Sequence, residues 1–153
     1  MKEKSDKQIK VLHCAETIKG GIATYLNTLL TEHKQSSKLK NFLLISPKSH
    51  KNEIIPNLID NCYFFNDTKN RIFNSLKLTL AVIKASFAFK PDIVHVHSFF
   101  AGLFLRPVLF FTNSRVVYCP HGWSFDRRTN IFSSRLSAFI EYILSFFTHK
   151  IIC

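Results

Sequence analysis

A histidine and a glycine stand directly after a short apolar run: Val116-Val117-Tyr118-Cys119-Pro120-His121-Gly122. Valine and tyrosine suit a buried pleat, and proline cannot extend the ladder. His121 therefore falls at a strand's carboxyl end, which in an open α/β sheet faces the ligand crevice. An imidazole placed there reads as a working group, and Gly122 lets a backbone approach a ligand closely. A loop histidine beside a turn glycine is the competing reading.

Gly20-Gly21 is a second candidate. It lies between an apolar stretch and a run with Ile22, Tyr25, Leu26, Leu29 and Leu30 at helical spacing. A glycine pair at a helix start leaves free N–H groups and no Cβ in the way of a diphosphate or sugar. The pattern is neither GxGxxG nor GxxxxGK[ST], and a plain tight turn is the alternative. His95 and His97 form a third candidate, two residues apart and hence on one face of a strand. Such a pair could ligate a metal, but His121 is the only obvious third ligand and no acidic partner is placed. The expectation is therefore no metal, with His97 level with the crevice and His95 hydrogen-bonded deeper in the sheet. Arg127-Arg128 could hold a phosphate or simply face solvent.

The elements that must position these residues alternate. Strands are predicted over Ile9–Cys14, Asn41–Ser46, Cys62–Phe65, Ile93–His97 and Arg115–Cys119, with one more beginning at His149. Helices are predicted from Gly21 to about His33, over Arg71–Phe89, over Ser98–Phe111 and over Ile131–Phe147. A short irregular helix is expected within Glu53–Asp60, and Arg106-Pro107 should bend or shorten its helix. The faces bearing Ile72, Phe73, Leu76, Leu80, Ile83 and Phe87, and Phe132, Leu136, Phe139, Ile140, Ile143 and Phe147, are expected to pack in the core. This order predicts an α/β fold with a doubly wound, mostly parallel, Rossmann-like sheet. Three strand ends, near Gly20-Gly21, His97 and His121-Gly122, would then gather along one edge.

At 153 residues, 46% hydrophobic and 20% charged, the chain is about one globular domain with sixteen phenylalanines. Twenty-one lysines and arginines against ten acids give a net charge of +11, which predicts attraction to something anionic. Nucleic acid is not expected, because no helix-turn-helix, zinc finger or stacking motif supports it. Four cysteines without a CxxC pair, and an N-terminus without an apolar core region, point to free, mostly buried thiols in a reducing cytosol. No uncharged run of about 18 apolar residues exists, so no membrane span is expected.

Three motifs, Lys10-Val11-Leu12-His13 through Gly20-Gly21-Ile22-Ala23-Thr24-Tyr25, Pro91-Asp92-Ile93-Val94-His95-Val96-His97-Ser98, and Val117 through Phe125, resemble the N-terminal half of a family 4 GT-B glycosyltransferase. The likeness runs over nearly the whole chain, with the motifs in order. It implies that residues 1–153 are the acceptor-side, Rossmann-like domain of a retaining transferase. Such an enzyme moves a sugar from a nucleotide-diphosphate sugar to a glycan or lipid-linked acceptor, commonly in cell-surface polysaccharide synthesis, and usually without a metal or other cofactor. Carried over by position, His121 is the catalytic candidate near the donor sugar. Gly20, Gly21 and Gly122 lie beside the donor, His97 is the strand-end histidine of the acceptor side, and Thr24, Arg127 and Arg128 are further substrate contacts.

In that family a second domain binds the nucleotide and carries an Arg/Lys pair and two glutamates separated by seven residues. Here glutamate occurs only at 3, 16, 32, 53 and 141. The resemblance thus implies half an enzyme, inactive alone, lacking its C-terminal nucleotide-sugar domain. The basic charge and Phe-rich helices suit a cytosolic protein in peripheral contact with the anionic inner membrane face. A non-enzymatic Rossmann-like interaction module is the alternative.

Overall fold

The computed structural model describes residues 8–39, 41–126 and 130–152. Six strands form one all-parallel sheet: β1 (Val11–Ala15), β2 (Phe42–Pro47), β3 (Cys62–Phe65), β4 (Ile93–His97), β5 (Arg115–Cys119) and β6 (Lys150–Ile151), in the order β3-β2-β1-β4-β5-β6. The α-helices are α1 (Gly21–Gln35), α2 (Arg71–Phe89), α3 (Phe99–Phe110) and α4 (Ile131–Ser145), with 3-10 turns at Lys48–Glu53, Pro56–Asn61 and Ser124–Asp126. The doubly wound α/β expectation holds, and the sheet is wholly rather than mostly parallel.

The order reverses between β1 and β4. The chain steps outward one way through β2 and β3, then the other way through β5 and β6. Right-handed crossovers place α1 on one face and α2, α3 and α4 on the other. Two separate cores follow. Leu26 and Leu30 of α1 pack with Val11, Ala15, Phe42 and Leu44. Leu78 and Val82 of α2, with Leu105 and Leu109 of α3, pack with Leu12, Cys14, Val94, Val96, Val116 and Tyr118 on the opposite face.

Local chemistry sets the helix ends. The Asn70 side chain accepts from the amides of Ile72 and Phe73 and starts α2, and Lys90 ends it in the left-handed conformation. Asn130 caps α4 through the Ser133 amide. Pro107 does not end α3, since the helix runs on to Phe110. Gly102 lets α3 approach the sheet, because a Cβ there would lie 2.7 Å from the Tyr118 ring.

Two expectations about packing are overturned. The α2 face bearing Ile72, Phe73, Leu76, Leu80 and Phe87 points outward, and Phe87 is 78% exposed. The helix is seated instead by Asn74, Ser75, Leu78 and Val82. In α4, Phe132, Leu136, Phe139 and Ile143 are exposed, while Glu141 and Leu144 are buried. Large apolar residues stand on the outward faces of both helices while polar Asn74, Ser75 and Glu141 lie inward, so apolar spacing alone did not select the inward stripe. By length and composition α2 would suffice to cross a bilayer, with 22% of its apolar window buried. Its Leu78 and Val82 nevertheless belong to the sheet core, so it lies along the domain.

Buried in the α2–α4 layer is one ionic network. Arg106 of α3, fully buried, donates to Glu141 of α4 at 2.6 Å, and Tyr118 of β5 donates to the other Glu141 oxygen at 2.8 Å. The guanidinium also stacks on the Tyr118 ring at 3.9 Å. A charge removed from water is tolerable only when paired in this way. Burial, and next the Glu141 charge, push the Tyr118 phenol upward.

Candidate functional site

In an open sheet a reversal such as that between β1 and β4 marks the ligand crevice at the strands' carboxyl ends, and His97, His121 and the glycine loop adjoin there. Ala15 is in register with His97, and His97 with Cys119. Gly20, at φ +55°, precedes α1 in a conformation other side chains rarely adopt. The turn before it is held by the Ile18 amide, which donates to His50 Nδ1 at 3.1 Å. It is also held by Glu16, which takes a bidentate pair of bonds from Arg71 at 2.9 and 2.8 Å. Gly21 opens α1 and faces open space. One turn on, the Tyr25 ring stands edge-on to His121 at 4.9 Å between centroids. The glycine loop, β4 end and β5 end therefore adjoin.

Both strand ends carry backbone strain. Ser98, just after β4, has φ +77°, and His121, just after β5, has φ +53°. Non-glycine residues there cost of order 1–3 kcal/mol and persist where surrounding structure holds them. Here the Ser98 amide donates to the Cys119 carbonyl at 3.0 Å, tying the two ends together. The strained turn sets His121 Nε2 3.0 Å from His97 Nδ1.

The imidazoles continue inward. His97 Nε2 lies 3.3 Å from His13 Nδ1, and His13 Nε2 lies 3.3 Å from His33 Nδ1. Four rings thus form one line from the crevice, across β4 and β1, to the last turn of α1. His95 packs beside it, its ring 4.1 Å from His97, with a buried Nε2 that has no hydrogen-bond partner. The expectation of a hydrogen-bonded His95 fails at that atom. His97 is level with the strand end as expected, but fully buried, so His121 is the ring that meets the crevice.

Electrostatically the cluster is neutral. Burial, reinforced by neighbouring imidazoles, holds His13 and His97 well below the ordinary value near 6.5 and His95 at about 4. Burial also lowers His33 and His121. Burial first, then the Cys119 charge, raises the Tyr25 phenol. A neutral imidazole has one N–H, so each contact in the line holds one proton, and the line can be protonated coherently in either direction. Two donor sets are close enough to hold a metal ion, His13 with His95 and His97, and His97 with Cys119 and His121.

Of the remaining candidates, Thr24 is exposed on the first turn of α1, and Gly122 is exposed beside His121. Arg127 and Arg128 lie outside the described residues. Sequence reasoning missed His13, His33 and Cys119. His33 extends the buried stripe of Ala23, Leu26 and Leu30 at helical spacing, and Cys119 is simply the partner of His97 across the ladder. Both signals were present.

Comparison with known proteins agrees with this architecture. The family model described as Glycosyltransferase Family 4 matches residues 19–153. A 41.2 kDa protein from the cps region of Klebsiella pneumoniae, itself uncharacterized, is 33% identical over 142 residues, covering 90% of this chain and 37% of that protein. Among solved structures, one described as a UDP-N-acetylglucosamine 2-epimerase from Listeria monocytogenes matches with a TM-score of 0.63 at 12% identity, over 95% of this chain and 38% of that one. S. aureus MnaA, solved with UDP, matches at 0.62 and 11% identity over 95% and 38%. Acinetobacter baumannii MurG matches at 0.54 and 13% identity over 95% and 40%. At such identities the structures show a shared GT-B-type Rossmann-like fold, and the chain spans under half the length of each of these four proteins. The family match over most of its length places this chain in glycosyltransferase family 4.

Proposed function

We propose that this chain is the acceptor-side half of a retaining transferase, which moves a sugar from a nucleotide-diphosphate sugar to a cell-surface polysaccharide or lipid-linked acceptor. The observation that carries this reading is the meeting of Gly20-Gly21, His97 and His121 at the β1/β4 reversal of a family 4 domain. Cleaving a sugar–diphosphate bond calls for donors aimed at the leaving phosphates and a shaped, water-poor cleft. The Gly21 amide at the start of α1 is placed to supply one such donor, those of Ile22, Ala23 and Thr24 being bonded to the Lys19 and Gly20 carbonyls. Gly21 puts no side chain in its way, and exposed Thr24 adds a hydroxyl. His121 and Gly122 border the reacting sugar, with His97 fixing the His121 ring from behind. No resident cofactor is needed, since the donor is itself a substrate. The UDP bound to S. aureus MnaA and the cps region of the Klebsiella relative support the donor and polysaccharide parts of the reading.

A second, nucleotide-binding domain completes the site in this account, in keeping with the greater length of the relatives, and this half alone is inactive. The exposed apolar faces of α2 and α4, with Lys77, Lys84 and Arg135 among them, suit peripheral contact with an anionic inner membrane leaflet. Each basic residue near such a surface adds about 1 kcal/mol.

The test combines this chain with a complementary C-terminal half and a panel of nucleotide sugars. Turnover is expected only with both halves present. Gly21→Val, whose Cβ would have nothing within 4 Å, should cut turnover at least about 100-fold by occupying the phosphate approach, with an unchanged thermal melt. No turnover from any donor, or full turnover by Gly21→Val, contradicts the reading and favours a non-enzymatic module.

A further inference from the structure

The geometry points to a transition-metal site formed by His97, Cys119 and His121, which takes a divalent d-block cation such as zinc and keeps a fourth coordination position open to the crevice. This goes beyond the transferase reading and does not rest on it.

The donor atoms are already gathered. One ligand atom from each of the three residues lies within 4.8 Å of the other two, and the two facing imidazole nitrogens are 3.0 Å apart. Tetrahedral zinc, with bonds of about 2.0–2.1 Å to nitrogen and about 2.3 Å to sulfur, places such atoms roughly 3.3–3.6 Å from one another. Closing the set therefore needs shifts of about an ångström, within one strand register and one strained turn. The backbone strain at Ser98 and His121 lies on the two segments that bring these residues together.

The chemistry of the set selects the ion. Imidazole and thiolate are borderline-soft donors that favour zinc, cobalt, nickel or copper over magnesium or calcium. The rings are neutral, the state in which imidazole ligates. Among the described residues neither candidate donor set includes a carboxylate, and Glu16 is held by Arg71. The Cys119 thiolate then provides the counter-charge, and its proton leaves to solvent on binding. The alternative set, His13 with His95 and His97, offers three neutral rings and no anion, in a wholly buried place. It is the less favourable home for a dication.

The imidazole line supplies the outer shell. With the metal on His97 Nδ1 and on His121 Nε2, the proton those atoms shared must move away. His97 then carries its proton on Nε2 and donates to His13 Nδ1, and His13 donates from Nε2 to His33 Nδ1. Metal-bound histidines usually donate their other ring N–H in this way, which fixes tautomer and orientation. His13 and His33 are thus positioning residues, and their burial is explained by the same arrangement.

Cobalt(II) titration of the phosphine-reduced chain tests the proposal by spectroscopy, independently of any sugar transfer. One equivalent should bind, with visible bands of tetrahedral cobalt and a near-ultraviolet thiolate-to-metal charge-transfer band, and zinc should displace it. Cys119→Ser should lose the charge-transfer band. His121→Asn, at a half-exposed position whose backbone asparagine tolerates, should weaken binding at least about 100-fold. His33→Gln should weaken it about 10-fold. No binding at millimolar cobalt, an octahedral spectrum, or equal binding by Cys119→Ser with the same spectrum overturns the assignment. That last result would place the ion on His13, His95 and His97. Circular dichroism of each variant establishes that it is folded.

Discussion

Two buried polar networks lie on opposite faces of one sheet, and they are built on opposite principles. Under α2–α4, Arg106, Glu141 and Tyr118 join two helices and a strand through charge-assisted bonds of 2.6 and 2.8 Å. The charges compensate each other, and nothing in the network opens to the crevice. Under α1, five imidazoles pack together without charge, linked at 3.0–3.3 Å, with one nitrogen unpartnered and one end at the crevice. The first network spends its charged bonds on holding elements together, though Arg106 Nη1 is left without a partner. The second keeps its proton positions in reserve. The contrast separates a structural polar core from one suited to chemistry, which reaches the crevice through half-exposed His121.

The comparison breaks most sharply at Glu141. Glu141→Ala leaves the Arg106 guanidinium buried and unpaired, and should destabilise the domain by about 3–5 kcal/mol in urea denaturation. The double variant Arg106→Met/Glu141→Leu should recover most of that loss, because a well-packed apolar pair replaces the ions. A small effect from Glu141→Ala would mean that the network is solvated after all.

Acid distinguishes the other face. In the unfolded chain each histidine takes up a proton near pH 6.5, while the folded cluster refuses it. Stability contributed by the neutral rings is complete above about pH 7 and falls as the pH drops from 6.5 toward 4. The chelator-treated protein should lose a few kcal/mol over that range. His95→Val should make the slope shallower, as measured by denaturation at a series of pH values. A profile flat between pH 7 and 5 would contradict the buried, neutral cluster.

The order of elements was legible from residue types. Cys62–Phe65, Arg71–Phe89, Ile93–His97 and Arg115–Cys119 are bounded by turn residues and prolines, and their limits match. That His97 and His121 share one edge followed from strand ends alone, while their direct contact at 3.0 Å did not. What spacing could not supply was the inward side of α2 and α4. In α2 the seating stripe Asn74, Ser75, Leu78 and Val82 is more polar and smaller than the outward phenylalanines. Close packing on a sheet rewards small volume as well as apolarity, so counting large apolar residues selected the wrong face. His13 was passed over as a single polar residue in an apolar strand, and His33 because it stands among the polar residues Glu32, Lys34 and Gln35 at the end of α1; their partners lie far away in sequence.

The smallest expected stability effect lies on that outward face. Phe132→Ser and Phe139→Ser remove surface already in water, and should change stability by under about 1 kcal/mol. They should reduce sedimentation with anionic vesicles several-fold. A large destabilisation would return α4 to the core, and unchanged vesicle binding would remove the membrane contact.

The central claim is that the β1/β4 crevice, and no other surface, receives the sugar donor. Amide nuclear magnetic resonance of the isotope-labelled chain, combined with its complementary C-terminal half and titrated with a nucleotide-diphosphate sugar, tests it directly. The account predicts shifts confined to Gly20–Ile22, Ser98 and His121–Trp123, and their loss in Gly21→Val. Shifts centred on α2 and α4, or none at all at millimolar ligand, would contradict it.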